Sequence, residues 1–284
     1  MSGILLALVA AVTWGSIVLV SNKLGGDASS QTVGTTIGAL FFAVVVYFIV
    51  APELTTRVWV VGIISGLFWS VGQKNQFGAV EFLGVAKTAP LSTGLQLIGT
   101  TFFGVFIFKE WDTLSSIMIG SAGLICIIAG AVLTSLNQKG EKEKSKSLKK
   151  GLFVLLLSTA GFVSYVIIIR WFDIDGWAAI LPQSIGMVIG GLLLTFRHHP
   201  FNKYAVRNII TGLIWSTGNL GLLLALPKTG VATSFSLSQT GIVISTLGGL
   251  FLLNERKSKK GVIKVVLGCA LIIAGGVLLG ITKK

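Results

Sequence analysis

The sequence predicts an all-α membrane protein with ten transmembrane helices, built as two inverted five-helix repeats. Hydrophobic residues make up 53% of the 284 residues and charged residues only 12%, whereas soluble domains carry about 25% charged residues. The apolar residues fall in long runs, and a helix needs about 20 such residues to cross a bilayer. The two halves of the chain also share motifs, which predicts the duplication.

Ten apolar runs define the predicted helices. Only helices and closed barrels satisfy their backbone hydrogen bonds in lipid, and the short alternating segments of a barrel are absent from the sequence. The predicted spans are residues 3–22, 33–51, 58–80, 86–108, 114–136, 151–171, 177–196, 207–226, 230–253 and 261–281. The first run lacks the basic leader of a signal peptide, so we expect it to remain as a helix. Residues 1–136 form the first predicted repeat, residues 137–150 a basic linker and residues 151–284 the second repeat.

The formal net charge of +13 lies mostly in the short loops between the apolar runs, so no nucleic-acid partner is expected. The loops after the odd-numbered spans, including the linker, hold most of the 23 lysines and arginines. The positive-inside rule therefore predicts a cytoplasmic linker and extracellular termini. One chain supplies both halves of a pathway, so a monomer is sufficient and a dimer is possible.

The internal repeat has a nearly constant spacing. Its matched positions are Gly66–Gln73 with Gly212–Asn219, Gly84 with Gly230, Leu91 with Leu237, Thr100 with Thr246, and Glu110 with Glu255. In the second helix of each half, the spacing of Gln31, Gly34 and Gly38 recurs as Gln183, Gly186 and Gly190. An odd number of helices per copy turns the second copy upside down, and inverted repeats are typical of secondary transporters. The pattern predicts alternating access to one central site.

Polar and aromatic side chains inside the spans are the candidates for binding a solute. They are Trp14, Trp69, Gln73, Gln76, Gln96, Gln183, Trp215, Asn219 and Gln239. Polar groups are costly in lipid and therefore face a cavity or one another. Amides donate and accept hydrogen bonds, as sugar hydroxyls do, and an indole can cover the apolar face of a sugar ring. The set favours a neutral, polyhydroxylated ligand; the alternative is that these amides only bond neighbouring helices.

Glu81, at the end of the third span, is the candidate for carrying a coupling proton if burial favours its protonated form. The alternative is an ordinary carboxylate at the membrane interface. Glu110 and Glu255 lie at the water boundary beside Trp111 and Arg256, and we expect them to be structural.

No motif predicts chemistry on a substrate. The sequence has no phosphate-binding glycine loop and no Ser/His/Asp set at credible spacing. Cys126 and Cys269 lie inside apolar runs, where they are expected to pack and not to form a disulfide or bind zinc. We therefore expect no enzymatic activity, no cofactor and no metal site.

Several motifs resemble those of the bacterial glucose/ribose uptake permeases, a family of the drug/metabolite transporter superfamily. They are Thr13–Ser16, Gly34–Leu40, Trp69–Gln73, Gly84–Thr101 and Gly230–Gln239. The resemblance covers nearly the whole chain. It implies the drug/metabolite transporter fold and uptake of glucose, or next of ribose, by proton symport across the cell membrane of a Gram-positive-type bacterium. It also implies binding roles for Trp14, Gln73, Gln96, Asn219 and Gln239, while Lys74 departs from the family's usual small residue.

Other functions remain as alternatives. An exporter of small drugs or metabolites would share the fold, but the near absence of carboxylates at mid-membrane disfavours the export of cations. A sensor or regulatory protein that does not transport would need a soluble output domain, and the longest loop spans only residues 137–150. A membrane enzyme would need clustered His or Asp residues near one surface.

Overall fold

The computed structural model describes residues 2–83, 85–135, 145–252 and 259–282. Side chains are described at these positions except at 18, 22, 77, 80, 81, 85–87, 89, 90, 134, 135, 145–148, 246, 249–252, 259, 260 and 280. The predicted linker, residues 137–150, lies mostly outside the described residues. Its last part is helical, because the helix that follows begins at Ser145.

Eleven α-helices make up almost all of the described chain. They are α1 (Ser2–Leu24), α2 (Ala28–Val50), α3 (Thr56–Leu83), α4 (Val85–Phe102), α5 (Leu114–Ser135), α6 (Ser145–Trp171), α7 (Gly176–Thr195), α8 (Lys203–Arg207), α9 (Ile209–Gln239), α10 (Ile242–Leu252) and α11 (Lys259–Ile281). No strand occurs among the described residues, and seven stretches of them are long and apolar enough to cross a membrane. The predicted class, an all-α membrane protein, is confirmed.

The predicted spans 207–226 and 230–253 correspond to two helical segments that run in opposite directions. The first part of α9 is antiparallel to α1, whereas the part after Gly230 and α10, which follows after a short turn, run parallel to α1. The helical backbone is broken at Gly230, which has φ 76° and ψ 168°, a conformation that glycine adopts without a steric penalty. Pro227 lies one turn earlier and has no backbone N–H to donate. The second part of α9, residues 231–239, therefore begins as a new helix, and we call it the half-helix.

Helices of the first half of the chain pack mainly against helices of the second half. α3 packs against α6 and α7, α9 against α1 and α2, and α5 against α11. Glycines allow the backbones to approach closely. A Cβ atom added to Gly66 would collide with the carbonyl oxygen of Gln183, and one added to Gly212 would collide with that of Thr35.

The order of the helices defines two faces of the molecule. The linker face holds the α1–α2 loop, the end of α3 and the starts of α6 and α8. Asn208 on this face donates from Nδ2 to the carbonyl oxygen of Gly25 over 3.0 Å. The opposite face holds the start of α1, the α2–α3 loop, residues 108–113, the α6–α7 loop and the break in α9. The Arg57 guanidinium there lies 5.4 Å from the centre of the Phe172 ring.

The surface is apolar and the interior contains many polar side chains, the reverse of a soluble protein. Phe48 is 79% exposed and Leu193 is 75% exposed, as expected for residues that contact lipid. Ser65, Gln183 and Asn219 are completely buried. Large exposed apolar patches mark contacts with membranes or partners, so this distribution agrees with helices embedded in a bilayer.

Asp27 caps the start of α2 on the linker face. Its carboxylate accepts hydrogen bonds from the side chain and the backbone N–H of Ser30, the latter over 2.8 Å. These bonds, the side-chain bond foremost, hold the pKa of the Asp27 carboxyl below its ordinary value. The cap therefore stabilises the fold fully above the ordinary aspartate pKa of about 3.9, and this contribution is lost as the pH falls through the lower folded-state value.

Replacing Asp27 by alanine should lower the free energy of unfolding by about 1 kcal/mol at neutral pH, because two donors at the helix start lose their acceptor. The measurement is denaturant unfolding of the purified protein in detergent at neutral pH and at acidic pH. The difference from the parent should shrink in acid. A matched change at the exposed Asp112 should have little effect at either pH, and equal effects at both positions would contradict the capping role.

Candidate functional site

A cavity of about 490 Å³ lies among α1, α2, α3, α4, α6, α9 and α10. Seven of the nine candidate binding residues line it, namely Trp14, Trp69, Gln73, Gln76, Gln96, Trp215 and Gln239. The described residues that line the cavity include no lysine, arginine, aspartate or glutamate. The cavity therefore combines amides, hydroxyls and aromatic rings without a formal charge.

Three tryptophans from three helices form an aromatic cluster at the cavity. The Trp14 and Trp215 rings are stacked with their centres 6.5 Å apart and their planes 12° apart. Trp69 meets Trp215 at 4.8 Å with a tilt of 59°. The Trp14 indole also donates from Nε1 to the carbonyl oxygen of Trp215 over 3.2 Å. Only 1% of Trp69 and 7% of Trp215 is exposed, so the cluster is a rigid wall of the cavity.

Glycines make room for this aromatic wall. A Cβ atom on Gly218 would lie 2.6 Å from Nε1 of Trp14. In the other half of the chain, a Cβ atom on Gly72 would lie 2.7 Å from the Phe162 ring. These two glycines are matched in the sequence repeat, so Phe162 on α6 and Trp14 on α1 occupy corresponding places.

A pair of glutamines from two helices meets at a single hydroxyl group. Gln76 of α3 and Gln96 of α4 each donate from Nε2 to Oγ of Ser92, both over 2.8 Å. The shared acceptor determines the direction of both amides. Gln73 and Gln239 are half-buried at the same cavity.

The cavity extends to the linker face, where a second polar group forms its rim. Gln31 donates from Nε2 to the carbonyl oxygen of Gly26 over 3.2 Å, and Thr211 donates from its hydroxyl to Oδ1 of Asn208 over 3.0 Å. These polar side chains line the cavity and lie within a few residues of the helix ends on that face. The cavity therefore reaches the linker face.

Gln183 and Asn219 do not line the cavity. Asn219 donates from Nδ2 to Oε1 of Gln183, and Gln183 donates from Nε2 to Oγ of Ser65 over 2.8 Å. Ser65 in turn donates to the carbonyl oxygen of Tyr165 over 2.7 Å. This buried chain of hydrogen bonds connects α9, α7, α3 and α6 behind the cavity wall, and its last member, Tyr165, lines the cavity. Gln183 and Asn219 therefore fit the alternative interpretation of the sequence, in which the amides only bond neighbouring helices.

Replacing Asn219 by alanine should lower the free energy of unfolding by about 1 kcal/mol, because Gln183 Oε1 would lose its buried donor. Thermal unfolding in detergent measures the effect. The exposed Thr217 offers a control on the same helix, since its hydroxyl bonds only to its own backbone turn at Leu213. Equal changes for both variants would contradict a structural role for the Asn219 amide.

Glu81, the candidate for proton coupling, is part of α3. Its side chain lies outside the described residues, so its role stays a prediction.

Several residues that line the cavity were not among the sequence candidates. They include Phe162, Tyr165, Asn208, Thr211 and Phe235. Phe162 lies against Gly72 as Trp14 lies against the matched Gly218, a correspondence that the structure shows and the sequence did not. Asn208 lies just before α9, at the start of the predicted span 207–226, and the sequence offered no signal that selected it.

The fold defines a multi-pass membrane protein with an internal cavity whose described lining residues carry no lysine, arginine, aspartate or glutamate. The chain belongs to the Sugar transport protein family, whose family model matches residues 5–282. The resemblance to the glucose/ribose uptake permeases is thereby confirmed at the level of the family.

Individual proteins match along nearly their whole length. Glucose uptake protein GlcU of Bacillus subtilis strain 168 is 56% identical over 282 residues, which cover 99% of this chain and 98% of that protein. A protein of Bacillus anthracis named "Probable glucose uptake protein GlcU" is 56% identical over 283 residues, or 99% of each chain. A solved crystal structure aligns with a TM-score of 0.75 at 19% identity, covering 99% of this chain and 98% of the other. At that identity the alignment shows a shared fold alone.

Proposed function

We propose that this protein takes up a monosaccharide, glucose foremost and ribose next, through the cavity described above. The names of its full-length relatives support sugar uptake. The observation that carries the proposal is the uncharged cavity, in which glutamine amides stand beside tryptophan rings. Its volume of about 490 Å³ lies within the range of small-molecule sites, roughly 300–1,000 Å³.

The chemistry of the cavity suits a sugar. Gln73, Gln96 and Gln239 offer both donors and acceptors to hydroxyl groups, and the Trp14 and Trp215 rings offer an apolar surface to the C–H face of a pyranose. An anionic solute would require buried cations, and none occurs among the described lining residues. For Gln183 and Asn219 we propose a positioning role, because their amides bond to each other outside the cavity.

Transport would proceed by alternating access of two inverted five-helix repeats. The packing supports this arrangement: α3 meets α6 and α7 as α9 meets α1 and α2. Close contacts recur in the same way, since Gly66 approaches the backbone of Gln183 and Met187 while Gly212 approaches that of Thr35 and Ala39. By these contacts, Gln183 corresponds to Thr35. The sequence spacing instead matched Gln183 with Gln31, which lies one helical turn before Thr35.

The proposed orientation of the protein in the membrane follows from the placement of its lysines and arginines. We propose that the linker face is cytoplasmic and that the termini are extracellular, as the lysine and arginine placement favours. The cavity extends to the linker face, which supports the proposal that this conformation is the one open to the cytoplasm.

Exchange of labelled glucose or ribose in proteoliposomes containing the purified protein tests the substrate. We expect counterflow with at least one of the two sugars and its loss on adding the unlabelled sugar in excess. No exchange with either sugar would overturn the substrate assignment.

Proton symport is a separate part of the proposal, with Glu81 as its candidate carrier. An imposed pH gradient should drive sugar accumulation, and Glu81→Gln should abolish accumulation while leaving exchange intact. Accumulation that is unchanged after the pH gradient is collapsed would overturn proton coupling.

A further inference from the structure

Glu110 makes an unusual contact on the face opposite the opening of the cavity. Its side chain is only 4% exposed, and its two carboxylate oxygens accept hydrogen bonds from the backbone N–H groups of Val231 over 2.7 Å and Ala232 over 2.9 Å. These are the first donors of the half-helix that begins after Gly230. The first N–H groups of a helix have no partner within the helix, and a negative charge is favoured there.

The chain is shaped to bring this carboxylate to the half-helix. α4 ends in a π-helical turn, Phe103–Ile107, and Lys109 takes a left-handed conformation with φ 52°. The Glu110 N–H then bonds to the carbonyl oxygen of Gly104 over 2.9 Å. A Cβ atom on Gly104 would lie 2.6 Å from the carboxylate, and one on Gly230 would lie 2.5 Å from its carbon. Two glycines thus form a slot that fits the carboxylate.

Arg170 reinforces the contact from α6. Its Nε lies 4.0 Å from Oε1 of Glu110, and its guanidinium lies 5.6 Å from the centre of the Phe108 ring. A second, smaller cavity of about 220 Å³ lies on this face, and Arg170, Asp173 and Asp175 are among its lining residues. This face therefore has its own polar cavity beside the Glu110 contact.

The half-helix connects this contact to the main cavity. Its first turn carries Val231 and Ala232, while Phe235, Ser238 and Gln239 further along line the cavity. A movement of its first turn away from Glu110 would therefore move part of the cavity wall.

We propose that Glu110 is a latch that keeps the face opposite the linker closed, and that its release from the half-helix opens the cavity to that face. The proposal rests on the alternating access proposed above. The repeat matches Glu110 with Glu255 and Gly230 with Gly84. Glu255 and Gly84 lie outside the described residues.

Two-sided thiol labelling tests the latch without measuring transport. The native cysteines, Cys126 and Cys269, are replaced by alanine, and Thr93→Cys provides a reporter in the cavity. A membrane-impermeant, positively charged thiol reagent is applied to one side at a time of vesicles with known orientation. The variants Glu110→Gln and Gly230→Ala disturb the latch by independent routes, and Glu53→Gln is a control at an exposed carboxylate on the same face.

In the parent, the reporter should react mainly from the linker side. Glu110→Gln and Gly230→Ala should each raise its labelling rate from the opposite side by about tenfold or more, the shift expected when a charge-assisted hydrogen bond is lost. Glu53→Gln should leave that rate unchanged. If Glu110 were only a stabilising cap, its replacement would lower the unfolding temperature without changing the side from which the reporter reacts.

Unchanged labelling from the opposite side in both latch variants, with folding verified by thermal unfolding, would overturn the latch. If only one variant folds, that variant decides the test. A labelling shift in a protein that exchanges neither sugar would support the latch and overturn the sugar assignment. Sugar exchange without a labelling shift would overturn the latch alone.

Discussion

Replacing Trp215 by alanine is expected to reduce sugar exchange at low sugar concentration by about tenfold or more. The indole contacts both Trp14 and Trp69, so its loss removes two ring contacts and part of the surface proposed to cover the sugar. The loss of binding should appear as a raised KM, since about 1.4 kcal/mol corresponds to a tenfold change in affinity. The measurement is the concentration dependence of labelled glucose exchange in proteoliposomes.

Two further variants separate binding from folding. Trp215→Phe keeps a ring at the position and should recover part of the affinity. Phe48→Ala removes an aromatic ring that is 79% exposed on the outside of the bundle and should leave KM unchanged. If Trp215→Ala is folded and its KM equals that of the parent, the tryptophan cluster does not contact the sugar.

Replacing Gly66 by alanine is expected to cause the largest loss of stability. A Cβ atom there would collide with the carbonyl oxygen of Gln183 and lie 2.5 Å from the backbone nitrogen of Met187. Backbone atoms cannot rotate away as side-chain ends do, so α3 and α7 would have to separate. Overpacking of this kind costs about 1–3 kcal/mol or more, which should lower the unfolding temperature and the yield of folded protein.

Gly94→Ala is the matched control within α4. A Cβ atom there would meet only Ile128 at 4.0 Å, an ordinary contact. Because alanine favours a helix over glycine by up to about 1 kcal/mol, this variant should be as stable as the parent or slightly more stable. A Gly66→Ala protein as stable as Gly94→Ala would contradict close packing of α3 on α7.

The helical membrane class and the family were predictable because they depend on local properties of the chain. The apolar runs and the motif around Trp69–Gln73 need no knowledge of which helices are neighbours. The boundary between the predicted spans 207–226 and 230–253 is also found in the structure, where the chain breaks at Gly230 with a φ of 76° and reverses its direction along α1.

The candidate site was predictable in part. Gln73 and Gln96 were selected because polar side chains inside a span face a cavity or one another, and both line the cavity. The same reasoning selected Asn219, whose amide instead bonds to Gln183 between helices. Periodicity assigns a side chain to a face of its own helix, but it carries no information about which other helix that face meets.

The contact of Glu110 with another helix also could not be predicted from the sequence. Its position after an apolar run indicated only a carboxylate at the membrane boundary, and its matched partner Glu255 indicated that the position recurs. Its contact with Val231, 121 residues away along the chain, depends on how α4 and α9 pack.

Composition, charge placement and repetition were enough to predict a membrane-embedded helical protein with uncharged polar groups in its interior, because lipid imposes those features on every helix separately. The packing of distant segments determines which amides face the cavity, which amides join helices, and which helix start Glu110 caps. These contacts depend on distances of a few ångströms between helices, and such distances are properties of the assembled bundle.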